Sequence, residues 1–276
     1  MKKILLLFTL TTLLISCEKP ELTSQENINQ KLNPKEFNII GEQHNKGLEF
    51  VYNSLSANLI NQGKLKITKT NSRATILQNI LDEAEQYCAE YVDEYSIIHN
   101  DPTAYIAHLY NTQVFDGKPI ISSTGNLYSD DISDKLVISQ KNLLNELNIV
   151  MSDDDYNLSS LNSRIDNIEM RIPSFNLTVD EQLVLYSATS VARHTLEYWN
   201  VNLEKWQTSL GDLEVVRTIG YNWKSIGKHD VAGAVSVAYS MSWANMFGPI
   251  STSAWIIGIG GGAIGASTYE AIMQTF

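Results

Sequence analysis

Apolar residues recur along most of this chain with a period near 3.6, the spacing that places them on one face of a helix. Leu48, Val51, Tyr52, Leu55 and Leu59 form one such stripe, with Gly63 as a stop. A longer stripe runs through Leu77, Ile80, Leu81, Ala84, Cys88, Tyr91, Val92 and Tyr95. Asp82, Glu83, Glu85, Glu90, Asp93 and Glu94 stand off it, and Ser72 is placed to cap its start. Residues 101–133 read as irregular, with turn signals at Asp101-Pro102, Asp116-Gly117, Gly125-Asn126 and Ser129-Asp130-Asp131. A helix is expected from about Asp134 to Leu147. Another follows Asp153-Asp154-Asp155 and carries Leu158, Leu161, Ile165, Ile168 and Ile172 on one side. Thr178 and Glu181 have capping-box spacing and open a long helix with Val184, Ala188, Val191, Thr195, Tyr198, Trp199, Asn202 and Trp206 on its apolar face. No stretch alternates with period two for long enough to make a strand. The pattern predicts an all-α fold: a multi-helix bundle ending in a small-residue-rich helical hairpin.

That last segment breaks the amphipathic rule. From Val231 to Tyr269 no residue is charged, in a chain with 31 acidic and 20 basic side chains. Small residues recur every fourth position on either side of Gly248-Pro249: Ala234, Ala238 and Ser242 before it, Ala254, Gly258, Gly262 and Ala266 after it. Five glycines (Gly258, Gly260, Gly261, Gly262 and Gly265) fall in one expected helix. At about 1 kcal/mol each relative to Ala, they cost roughly 5 kcal/mol of helix stability. Close backbone approach between helices offsets such a cost. The arms, 17 and 18 residues long, are short for a bilayer core of about 30 Å, and serines weaken the first. A hairpin buried in the bundle is therefore the primary expectation for residues 228–276. Insertion into a membrane or a partner is the alternative.

The N-terminus bears on location. Lys2 and Lys3 precede an apolar run from Ile4 to Ile15, which has the length and flanks of an export signal. Leu14-Ile15-Ser16-Cys17 resembles the lipobox of bacterial lipoproteins, a family in which the cysteine becomes the lipidated first residue of the mature chain. The expected organisation is thus a signal peptide (1–16), a flexible tether (17–33) with Cys17 lipidated, and a single helical domain (34–276). Glu18 rather than Asp follows Cys17, which favours an outer-membrane address, periplasmic or surface-exposed. Loss of Lys2 and Lys3 with the signal lowers the formal net charge from −11 to −13. That balance argues against nucleic acid as a partner and leaves the membrane, through the lipid, and an unidentified protein. Cys88 is then the one remaining thiol, so no intramolecular disulfide is expected, and its apolar setting makes it inert.

Signatures of chemistry are sparse. The chain has no HExxH, CxxC or GxSxG, and no cofactor motif. An EF-hand loop from Asp153 would place Asp155 and Asn157 correctly but needs Gly and Glu where Leu158 and Arg164 stand. His194 and Glu197 lie one helical turn apart without a second ligand pair, on a face expected to meet solvent. His44 is four residues before Leu48 and so shares the buried stripe. With Glu42 it is the weak catalytic candidate of this sequence, as an acid–base or metal-ligand pair, and a satisfied core histidine is the ordinary alternative.

Asn33-Pro34, Phe37, Ile40-Gly41, His44-Asn45 and Gly47-Leu48, then Ser190-Val191-Ala192 and Glu197-Tyr198-Trp199, then Asp230-Val231-Ala232-Gly233-Ala234 resemble recurrent blocks of uncharacterised Bacteroidetes lipoproteins. The resemblance implies an envelope protein and attaches to no activity. The uncharged tail by itself resembles the glycine zippers of two-peptide bacteriocins, from which it departs in being fused to an acidic helical body. The expectation is a lipid-anchored, non-enzymatic interaction or structural module of the cell envelope. Its alternatives are a membrane-active effector using the hairpin and a hydrolase or metal enzyme using Glu42 and His44.

Overall fold

A computed structural model describes residues 32–62, 72–99, 104–153, 157–211, 222–244 and 252–275. Cys17, the expected signal peptide and nearly all of the expected tether lie outside them, as do Gly63, Asp101-Pro102, residues 154–155 and Gly248-Pro249. The protein is an all-α bundle. Its helices are α1 (Asn38–Gln62), α2 (Arg73–His99), α3 (Ala104–Phe115), α4 (Asp130–Ser133), α5 (Ile138–Ser152), α6 (Leu158–Arg171), α7 (Val179–Gly211), α8 (Trp223–Ala244) and α9 (Thr252–Thr275). Short 3₁₀ turns precede α1 and follow α6.

Local chemistry sets several boundaries. Ser72 Oγ accepts from the Thr75 amide at 3.2 Å and caps α2. Both halves of the Thr178/Glu181 box form: the Thr178 amide donates to Glu181 Oε2 at 2.7 Å and the Glu181 amide to Thr178 Oγ1 at 3.3 Å. Asn157 caps α6 through Ser160. Asp153 forms an ion pair with Arg164 at 2.5 Å, so the residue standing in the calcium loop's glutamate position neutralises its first acid.

Two stretches differ from the sequence reading. Residues 101–133 are not irregular throughout, because the turn signals at 101 and 116 bracket helix α3 rather than replace it. Gly117, at φ +84°, ends that helix in a Schellman motif: the Lys118 amide donates to Gln113 O and the Gly117 amide to Val114 O, each at 2.9 Å. The expected Asp134–Leu147 helix begins later, at Ile138, since Val137 is extended and its amide donates to the Gln140 side chain.

The apolar stripes merge into two packed regions. One joins Leu143, Leu144 and Leu147 of α5, Leu161, Ile165 and Ile168 of α6, and the facing sides of α7 and α8. The other joins Leu48, Val51 and Leu55 of α1, Ile80, Ala84 and Cys88 of α2, and Trp199 and Trp206 of α7. Helix α9 supplies Ile259 and Ala263 to the first and Ile264 and Ile272 to the second, and touches α1, α2, α3, α7 and α8. Buried from Ile257 to Thr268, it is the hub of the bundle.

Its glycines follow from that position. A Cβ on Gly258 would sit 2.6 Å from Met241 Sδ of α8, and one on Gly262 would strike Val237. A Cβ on Gly261 would lie 2.6 Å from Val92 of α2, and one on Gly265 would strike Asn111 of α3. Successive helical residues point about 100° apart. The glycines therefore serve several neighbours around the helix rather than one. On the α8 side, Met241 meets Gly258, Val237 meets Gly262 and Gly233 meets Ala266, so the two helices run antiparallel. The α8 residues in this register lie one position before Ala234, Ala238 and Ser242. Ala234 and Ala238 are also fully buried, Ser242 is half-buried, and the Ala254 side chain lies outside the described set.

Candidate functional site

The resemblance blocks on α1, α7 and α8 converge on one buried polar cluster. His44 and Asp230 are both fully buried, and His44 Nε2 faces Asp230 Oδ1 at 3.1 Å. The two atoms lie within ion-pair distance and form no aligned hydrogen bond. Asp230 Oδ2 accepts from the Trp199 indole N–H at 2.9 Å and from the Thr195 hydroxyl. On the other side of the ring, His44 Nδ1 lies 3.0 Å from Asn45 Oδ1, while Asn45 Nδ2 donates to the His194 carbonyl at 3.0 Å.

This chain of bonds fixes the Asn45 amide and the role of Nδ1. The His194 carbonyl can only accept, so Asn45 presents its oxygen to His44, and Nδ1 must donate. Nε2 faces a carboxylate oxygen. His44 is thus held between the Asn45 side-chain oxygen and the Asp230 carboxylate. Buried polar groups persist where polar partners surround them in this way.

The backbone makes room for the cluster by close approach. A Cβ on Gly41 would strike the His194 ring and lie 2.7 Å from Ser190 O, so α1 and α7 meet almost backbone to backbone. Ser190 Oγ accepts from the Gly41 amide at 3.1 Å and donates to Phe37 O at 2.7 Å. The Gly41 amide is among the first four of α1, which have no partner within their own helix, so Ser190 caps α1 from a different helix. Gly260 of α9 passes His44 on a further side, where its Cβ would lie 3.5 Å from the His44 amide. An aromatic cluster adjoins the site, with Trp199 and Trp206 centroids 5.4 Å apart and Tyr52 5.3 Å from Trp206.

The expected Glu42–His44 pair is not assembled. Glu42 is exposed, as a residue two positions along a helix must be when its neighbour faces the core. Burial holds the His194 ring below its ordinary value, outweighing the Ser190 carbonyl and the Glu42 carboxylate, which both favour its protonation. His194 is half-buried, not solvent-facing as its sequence position implied, and Nδ1 donates to Ser190 O at 2.9 Å. Glu197 is exposed, and among the described residues no group of three or more His, Cys, Asp or Glu is placed to hold a metal. Burial pushes the Cys88 thiol up to about 12.

Asp230 is the residue that sequence reasoning missed. It is the last charge before the uncharged block, and Ile226 and Ala234, four residues to either side, share its buried face. An acid on an apolar stripe is the signal that could have revealed it. No protein-family model, curated protein or solved structure matches this chain.

Proposed function

We propose that this chain is a lipid-anchored, non-enzymatic helical module of the cell envelope, held at the outer membrane through Cys17 and acting as an interaction or structural element. The observation that carries the reading is the enclosure of the His44–Asp230 cluster. A general base must reach the proton it removes. His44 is fully buried, and its ring nitrogens face Asn45 and Asp230. Its acid partner is itself engaged by Thr195 and Trp199. Such an arrangement holds three helices in register and leaves no substrate approach.

A membrane-active role for α8 and α9 has less support. Release of α9 would strip it from five neighbouring helices, and no helix among the described residues is long and apolar enough to cross a membrane. The lipid anchor rests on the sequence around Cys17. It is tested by expressing the full chain and its Cys17→Ser variant in a Gram-negative host fed an alkyne-tagged palmitate. The parent is expected to take up label and fractionate with membranes, and the variant to do neither. An unlabelled parent, or equal labelling of both, would contradict the anchor.

A further inference from the structure

A second polar feature lies away from the His44–Asp230 cluster. Helices α3 and α8 and the segment that leads through α4 enclose an open cleft of about 740 Å³, a size typical of small-molecule sites. The Ser236 side chain is more than nine-tenths buried there, and Ser236 Oγ has no hydrogen-bond partner among the described residues. The Tyr110 hydroxyl is enclosed as well, on a half-buried side chain, and it looks toward Ser236 without completing an aligned hydrogen bond. Two buried, unsatisfied hydroxyls at one place are costly, and protein interiors seldom keep them without use. Burial also pushes the Tyr110 hydroxyl up from its ordinary value, which keeps it a donor at neutral pH.

The rest of the lining narrows the chemistry. Val114, Ile120 and Ile132 give the cleft an apolar wall. At the mouth, Lys118 is held by Asp131 at 2.9 Å and by Gln113 Oε1 at 3.1 Å. Lys135 is exposed, with its amine 5.9 Å from the Tyr239 ring centroid. Lys135 is thus the lining cation at the mouth that the ion pair with Asp131 does not engage, on a chain whose net charge is −11. A ligand that satisfies all three zones has an anionic head, an apolar body and an oxygen at its far end.

We propose that this cleft binds an amphipathic carboxylate, with the carboxylate at Lys135 and a hydroxyl or carbonyl oxygen on Tyr110 and Ser236. The proposal goes beyond the envelope-module reading and stands whether or not Cys17 carries lipid. Calorimetric titration of the full chain with 10-hydroxydecanoate tests it, with 1,10-decanediol as the uncharged comparison. Saturable binding of the hydroxy acid is expected, weakened about tenfold by the Tyr110→Phe/Ser236→Ala double variant, the usual effect of losing hydrogen bonds to a ligand. Lys135→Gln is expected to weaken the hydroxy acid and leave the diol unchanged. The two hydroxyls complete no aligned hydrogen bond among the described residues, so the unliganded melting temperature of the double variant should not fall below that of the parent, which separates a binding role from a structural one. Absence of saturable binding, binding unaltered by the double variant, or a lower melting temperature for that variant would overturn the proposal.

Discussion

Asp230 meets groups from two other helices, with His44 at one oxygen and Thr195 and Trp199 at the other. Removing one member of a buried pair of ionisable groups strands the other, at a cost of about 3–5 kcal/mol. Asp230→Ala is therefore expected to lower unfolding free energy by about that amount in chemical denaturation, and His44→Ala by a similar amount. The double variant should cost less than the two added together, because it leaves neither group stranded. Strict additivity would mean that the pair is not coupled. His44 was visible in the sequence because it shares the stripe of Leu48, yet the acid nearest in sequence, Glu42, was the wrong partner. Helical geometry turns positions two apart onto different faces. The partner that packing supplies lies far along the chain, where the sequence marks only an acid between Ile226 and Ala234.

The elements were legible to the degree that one face of each meets water. Helix α2 sets charged residues opposite its apolar stripe, and α2 and α7 carry their own caps at Ser72 and Thr178, so both starts read directly, although α7 is enclosed all round from Val184 to Ala192. Helix α3 was lost because its flanking turn signals dominate a twelve-residue segment. Helix α9 posed a different difficulty. Apolar all round, it showed that it must be buried but not by what, and a four-residue small-residue spacing implies only one partner. The structure gives it five, so its glycines are not equivalent. Gly262→Ala drives a methyl group into Val237 and is expected to destabilise the protein by about 1–3 kcal/mol. Gly260→Ala meets its nearest atom at an ordinary 3.5 Å, and is expected to leave stability unchanged or raise it by up to about 1 kcal/mol through helix propensity. Thermal melts of both variants check this ordering, and equal losses would show that the spacing around α9 is not as described.

At the scale of the molecule, the bundle is organised around an uncharged axis. Helix α9 joins the two packed regions, and the His44–Asp230 cluster lies where α1, α7 and α8 meet beside it. The last segment of the chain thus completes both regions, which makes its burial the central claim: membrane insertion would have to dismantle the body from within. Hydrogen exchange of the full chain tests this most directly, read peptide by peptide in buffer with and without phospholipid vesicles. Amides from Ile259 to Ile272 are expected to exchange only through global unfolding, as slowly as any in the protein, and vesicles should leave them unchanged. Exchange in α9 well ahead of α5 and α6, or protection of α9 that arises only with vesicles, would contradict the account.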